Sequence, residues 1–309
     1  DATQGWIPLD DDVVADAPVP PPTQKAIFGY GFVDGNPGVS MTNLVTSSGV
    51  VGTDVTGVGT ARYGITATGY GTDTAIFGYG YTGSKVSITN LVNNSGVVAT
   101  DTTGVGTARS YLAATRYGVG LAIFGYGTVV SNTAITNLVS NVGVVATDTS
   151  GVGTARHALA AVGYGGDKAI FGYGTTGSRV SLTNLVSNSG VVATDTTGVG
   201  TARDYLAAAS YGTGTAIFAY GTTGSNTAVS NLVSSSGVVA SDVSGVGTAR
   251  HALAASGYGG DKGIFAYGTT GSYVSTSNLV NNSGVIASDV TGVGTARYTP
   301  AAAGYSLSA

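Results

Sequence analysis

Ala169–Ile170–Phe171–Gly172–Tyr173–Gly174, then Thr183–Asn184–Leu185–Val186, then Asp195 and Gly198–Val199–Gly200–Thr201–Ala202–Arg203, form one unit of a repeat whose reading decides the fold. The opening hexapeptide returns with its Phe at 28, 77, 124, 171, 218 and 265, one spacing of 49 residues and four of 47. The longer first spacing comes from the loop Phe32–Gly38, which carries two extra residues. Residues 75–121 and 169–215 agree at 38 of 47 positions. Such self-similarity marks copies of one supersecondary unit.

Each unit reads as four short strands. In the fourth, Ala169–Gly174 is apolar and aromatic. Arg179–Ser187 alternates through Val180 and Leu182, then shifts phase at Asn184–Leu185–Val186, as at a β-bulge. Asn188–Ser189–Gly190 is a hairpin turn, Val191–Thr196 the next strand, and Arg203–Tyr211 the last. Four strands in 47 residues is the size of a propeller blade. The first unit starts at Lys25 without the strand that precedes Ala-Ile-Phe elsewhere, and Arg297–Tyr305 supplies it at the far end. The two ends therefore complete one blade, whereas a solenoid needs polar caps. The expectation is an all-β, six-bladed propeller over 25–309, preceded by an extended arm over 1–24.

The run Thr-Ala-Arg, small apolar strand, Tyr-Gly, Lys-Ala-Ile-Phe-Gly-Tyr-Gly resembles the kelch repeat across residues 25–309. In that family an Arg precedes the innermost strand and a Gly-Gly pair closes the second. Here Gly-Tyr-Gly, as at Gly172–Gly174, replaces the double Gly, and the outer-strand Trp is absent. The resemblance implies a kelch-like propeller and no particular ligand. Small residues such as Ala113–Ala114 and Ala160–Ala161 suit inner strands crowding an axis. Pro300 replaces the Leu of 112, 159, 206 and 253, which a channel-facing edge tolerates. The Phe series fills space between blades, and twelve of eighteen Tyr fall at two repeat positions, begun by Tyr30 and Tyr70.

Composition supports this class. Gly is 51 of 309, charged residues only 9%, hydrophobic residues 42% and net charge −4, a profile unlike disorder. All sixteen acidic residues are Asp, and Thr, Ser and Asn carry the polarity, as strands and turns require. Absence of Cys excludes disulfides and thiolate chemistry. No apolar run reaches the roughly 18 residues of a membrane span. From Lys25 onward twelve basic residues face eleven Asp, so no nucleic-acid patch stands out.

The most regular charges are an Asp eight residues before an Arg: Asp54–Arg62, Asp101–Arg109, Asp148–Arg156, Asp195–Arg203, Asp242–Arg250 and Asp289–Arg297. A ring of charge for an anion or glycan competes with a charge-assisted hydrogen bond holding each blade. Strict repetition favours the second, with each Asp hydrogen-bonded to an Arg of its own or the adjacent blade. A sialidase reading fails because the turn lacks the Asp-box spacing and its Trp. His157 and His251 occupy equivalent places in alternate blades, with no Cys or Glu to work with. Gly78–Gly83 and Gly172–Gly177 match G-x-G-x-x-G without a following helix, so no dinucleotide site follows. No catalytic residue, metal or cofactor is nominated. Asn93 and Asn281 head Asn-x-Ser sequons at one hairpin turn and are candidate glycosylation sites.

The arm holds five Asp and no basic side chain, and ends in Pro18–Val19–Pro20–Pro21–Pro22. It also holds Trp6, Ile7, Leu9, Val13 and Val14, an apolar cluster suited to docking on a neighbouring protomer; a leader with a stiff spacer is the alternative. The start at Asp1 rather than Met points to a processed, extracellular or surface-borne form. Two functions follow: a non-enzymatic structural subunit that polymerises with itself through the arm, or a lectin-like propeller that binds glycans.

Overall fold

The computed structural model describes residues 23–309. Its strands fall into six three-stranded antiparallel sheets. Five are consecutive in sequence: β3 (Thr66–Tyr70), β4 (Thr74–Gly78) and β5 (Thr89–Val92); β6 (Ala113–Tyr117), β7 (Leu121–Gly125) and β8 (Thr136–Val139); β9 (Ala160–Tyr164), β10 (Lys168–Gly172) and β11 (Thr183–Val186); β12 (Ala207–Tyr211), β13 (Thr215–Ala219) and β14 (Ser230–Val233); and β15 (Ala254–Tyr258), β16 (Lys262–Ala266) and β17 (Ser277–Val280). The remaining sheet joins the sequence ends. There β18 (Ala301–Tyr305) pairs with β1 (Lys25–Val33), which pairs with β2 (Asn36–Val45). Lys25 lies opposite Tyr305 and Gly29 opposite Ala301 in that ladder. The architecture is all-β, repeated six times, and consistent with a six-bladed propeller.

Ala-Ile-Phe reads as an unbroken apolar run because its strand is covered on both faces. Ala169, Ile170 and Phe171 are all fully buried, as are their counterparts Ala26, Ile27 and Phe28. Six apolar clusters each join one sheet to the next. In each, the Tyr after a central strand meets the Phe of the following repeat. Tyr173–Phe218 has ring centroids 5.2 Å apart, and the same contact recurs between Tyr267 and Phe28 at 5.3 Å. Such tilted and edge-on pairs are favoured over flat stacking. The second Tyr series seals the same seams. Tyr117 packs on the hairpin glycine Gly190 of the next sheet, where a Cβ would lie 2.7 Å from the ring. With φ at 80°, that position needs glycine on both counts.

Two expectations about strands change. The third strand does not begin at Arg179; its ladder covers Thr183–Val186, and Arg179 makes only an isolated bridge to Thr175. The outermost segment Val191–Thr196 is likewise present only as bridges, Val186 to Val192 and Thr183 to Thr196. The cause is Asn184, whose Nδ2 donates to Ala193 O at 3.0 Å and so inserts a side chain into the ladder. In the first repeat the two extra residues lengthen β1 and β2, with register shifts beside Gly31.

Candidate functional site: arginine stitches and an axial channel

Tyr173 and its five counterparts (30, 79, 126, 220 and 267) take positive φ, 61° to 66°. A non-glycine residue resists that region, and here it turns the Tyr carbonyl towards an arginine. Arg156 Nε donates to Tyr173 O at 2.8 Å, Nη1 to Thr154 O at 3.0 Å and Nη2 to Asn184 Oδ1 at 2.7 Å. Its guanidinium also lies 4.4 Å over the Tyr126 ring of the preceding repeat. All six arginines (62, 109, 156, 203, 250 and 297) are fully buried, each stacked on such a Tyr at 4.1–4.5 Å. Two differ in detail: Arg250 Nη2 turns to Phe265 O, leaving Asn278 Oδ1 without a partner, and Arg297 Nε has none.

The aspartates sit at the outer end of the same stitch. Asp195 accepts from the Thr154 amide, the Thr154 hydroxyl and Asn184 Nδ2. Its contact with Arg156 is an ion pair at 3.9 Å, beyond hydrogen-bond length. The partner is an arginine of the same sheet, as expected, but the direct hydrogen bond is corrected to a longer ion pair, and the eight-residue spacing does not name the partner. Asp195 meets Arg156, 39 residues earlier, not Arg203 eight residues later, and Asn184 bridges the two groups. The corresponding pairs Asp101–Arg62, Asp148–Arg109 and Asp54–Arg297 span 3.8–4.0 Å. Asp242 and Asp289 keep the same Thr and Asn partners. Partial burial pushes each carboxyl up. Hydrogen bonds from Thr and Asn, with the Arg charge, outweigh it and leave all six below the ordinary value of 3.8. Burial likewise pushes the Tyr30, Tyr126 and Tyr220 hydroxyls up to about 12.

The first strands of the sheets contact one another pairwise, β18 with β3, β3 with β6, β6 with β9, β9 with β12, β12 with β15 and β15 with β18. At their entry end, backbone amides link one repeat to the next: Tyr111 to Gly64 O, Ala158 to Tyr111 O, Tyr205 to Ala158 O, Ala252 to Tyr205 O and Thr299 to Ala252 O, at 2.8–2.9 Å. Gly64 N in turn donates to Thr299 Oγ1. The residue following each stitch arginine differs between repeats, and there symmetry breaks: Tyr63, Ser110, His157, Asp204, His251 and Tyr298. Both histidines have Nδ1 2.7 Å from an Asn Oδ1, of Asn132 and Asn226, so Nδ1 donates. Burial holds both imidazoles below their ordinary value despite nearby Asp204. Asp204 itself is buried and accepts from Arg179 Nε at 2.9 Å. Sequence reasoning had assigned these histidines no partner.

The exit ends open into a cavity of about 1160 Å³. Ala114, Ala161, Ala208, Ala255 and Ala302 line it, and two positions further on come Gly69, Arg116, Gly163, Ser210, Gly257 and Gly304. Arg116 is the residue that sequence reasoning missed. Alignment of the repeats exposes it, since every counterpart is Gly or Ser. Its Nη2 donates to Gly71 O at 2.6 Å, and no ion pair to it forms among the described residues. Lys168 and Lys262 also line the cavity, each paired with the preceding Asp167 or Asp261.

Asn93 and Asn281 are exposed, each accepting two amide hydrogen bonds within its hairpin turn through Oδ1. Trp6, Ile7, Leu9, Val13 and Val14 lie outside the described residues. Among the described residues, no group of three or more His, Asp or similar ligands gathers, and no helix is long and apolar enough to cross a membrane. No protein-family model matches this chain, and no curated protein matches it.

Proposed function

We propose that this chain is a non-enzymatic assembly subunit, a kelch-like propeller whose N-terminal arm docks on a neighbouring protomer of an extracellular or surface assembly. In this reading each blade has four strands, the bridged outer segment being the fourth, and β18 completes the ring. The pairing of β18 with β1, the six inter-sheet clusters and the amide links around the axis support closure.

The observation that carries the assembly reading is the outer rim. Val50, Val97, Val144, Val191, Val238 and Val285 stand at one repeat position and are each 60–66% exposed. They sit on segments bridged to the sheet on their inner side. Six equivalent edges with apolar side chains suit addition of an extended segment, where main-chain hydrogen bonds supply affinity and alternate side chains fill pockets. Such a head-to-tail contact builds open chains unless its rotation closes. Burying Trp6, Ile7 and Leu9 contributes about 1.5–3 kcal/mol for each large side chain, before ordering costs. Deleting residues 1–17 is expected to reduce particle mass in light scattering. Equal, monomeric masses for full-length and truncated chains would overturn the reading.

The second reading, a glycan-binding propeller, is favoured by the axial cavity, which exceeds the roughly 300–1,000 Å³ common for ligand pockets. Its test is glycan-array binding, with loss of signal expected when the channel is filled by Ser210→Trp.

A further inference from the structure

Arg116 is set apart from the other arginines of its kind of neighbourhood. The six stitch arginines use their donors on carbonyls and, in all but Arg250, an asparagine inside the protein, whereas Arg116 uses one of five N–H donors within the described residues. Its strand runs Ala113–Ala114–Thr115–Arg116–Tyr117, in which 113, 115 and 117 are well buried and Arg116 is half-buried at the channel wall. The bond to Gly71 O ties one edge of the guanidinium to the preceding hairpin. Gly69 makes room beside it, since a Cβ there would come 2.9 Å from Arg116 Cδ. The other inner strands carry only Gly163, Ser210, Gly257 and Gly304 at the same level of the lining, residues too small to reach across it. A fixed, planar fork facing an open cavity is the arrangement that recognises an oxyanion through two parallel hydrogen bonds.

We propose that the wide end of the axial channel is a single oxyanion-binding site per chain, with Arg116 as its anchor and Lys168 and Lys262 at its edge. The site differs from the outer-rim docking above, because it lies among the inner strands and occurs once, not six times, and of its two candidate occupants below only the free ligand leaves the arm available to a neighbour. Burial lowers the Arg116 pKa, and a counter-charge would offset that desolvation. Two sources of oxyanion fit the geometry. One is a free small carboxylate or phosphate. The other is the Asp-rich segment 1–22, which joins the described chain at Thr23 on the lining of this same cavity.

The test is calorimetric titration of the full chain with citrate and with inorganic phosphate, at constant ionic strength and with chloride as control. One site per chain is expected, weakened at least about tenfold in Arg116→Gln and partly retained in Arg116→Lys, which keeps charge but not the fork. Circular dichroism and the melting midpoint of the variants show that they fold. A full chain with Asp10, Asp11, Asp12 and Asp16 all changed to Asn separates the sources. Tighter probe binding there assigns the segment as the resident oxyanion, and unchanged binding assigns a free ligand; both support the site. Affinity unaffected by Arg116→Gln, six sites per chain, or no saturable binding in either the native or the Asp-to-Asn chain would overturn it.

Discussion

Arg109 stands on the approach to β6 and Arg116, seven residues further on, within it, and they meet opposite surroundings. Arg109 is fully buried, stacked on Tyr79 at 4.4 Å and bonded to Tyr126 O, Thr107 O and Asn137 Oδ1. Arg116 has one such bond and faces the channel. The first recurs in every repeat; the second has no counterpart. In a molecule of six repeated sheets, cohesion is needed at every seam and is written six times, while a site that occurs once needs a side chain from one repeat. Repetition thus marks the groups that hold the fold, and a break in it marks the place to look for recognition.

The contrast can be broken most directly at a stitch. Arg203→Ala leaves Tyr220 O, Thr201 O and Asn231 Oδ1 without their donor and opens a void, so a loss of about 3 kcal/mol or more is expected. A shift in the urea midpoint reads it, and a neutral result would remove the stitch from the account of stability. Asn231→Ala should follow at about 2 kcal/mol, because it unpairs a buried charged donor and the Ala240 carbonyl.

The aspartates sharpen the comparison through pH. Their folded-state values lie below the ordinary carboxylate value, so their contribution is present above that value and is lost as pH falls through the depressed folded ones. Thermal stability should therefore drop below about pH 4, and Asp242→Asn should lower stability by about 1 kcal/mol at neutral pH while flattening that acid slope. A slope unchanged by the substitution would place the acid sensitivity elsewhere. The smallest effect is expected at Arg116. Arg116→Gln should lower stability by about 0.5 kcal/mol, the low end of what one intramolecular hydrogen bond contributes. A loss as large as that of Arg203→Ala would make Arg116 another structural arginine.

Much of the fold was legible because the repeat makes local and global signals agree. Ala-Ile-Phe announced a strand covered on both faces, and the Phe and Tyr series announced seams between units. The surplus strand at Ala301–Tyr305 announced its pairing with Lys25–Gly29. The outer segments were less legible, since Val191–Thr196 has the composition of a strand and forms only bridges. The decisive residue there, Asn184, carries no strand-breaking signal of its own; its side chain acts only once Ala193 and Asp195 lie beside it.

By itself the sequence determined an all-β chain of six copies, the apolar positions between them and the complementarity of its ends, because periodicity and repeat length act through near neighbours along the chain. Tertiary structure alone decided that Asp195 turns to Arg156 and not to the nearer Arg203, since the two are brought together when an outer segment folds back over the entry to its own inner strand. It alone placed Arg116 on the channel wall, where alternation along β6 and the small residues of its five counterparts leave a guanidinium facing open space. Partner choice between distant residues depends on how sheets dock, and no local pattern of polarity encodes that.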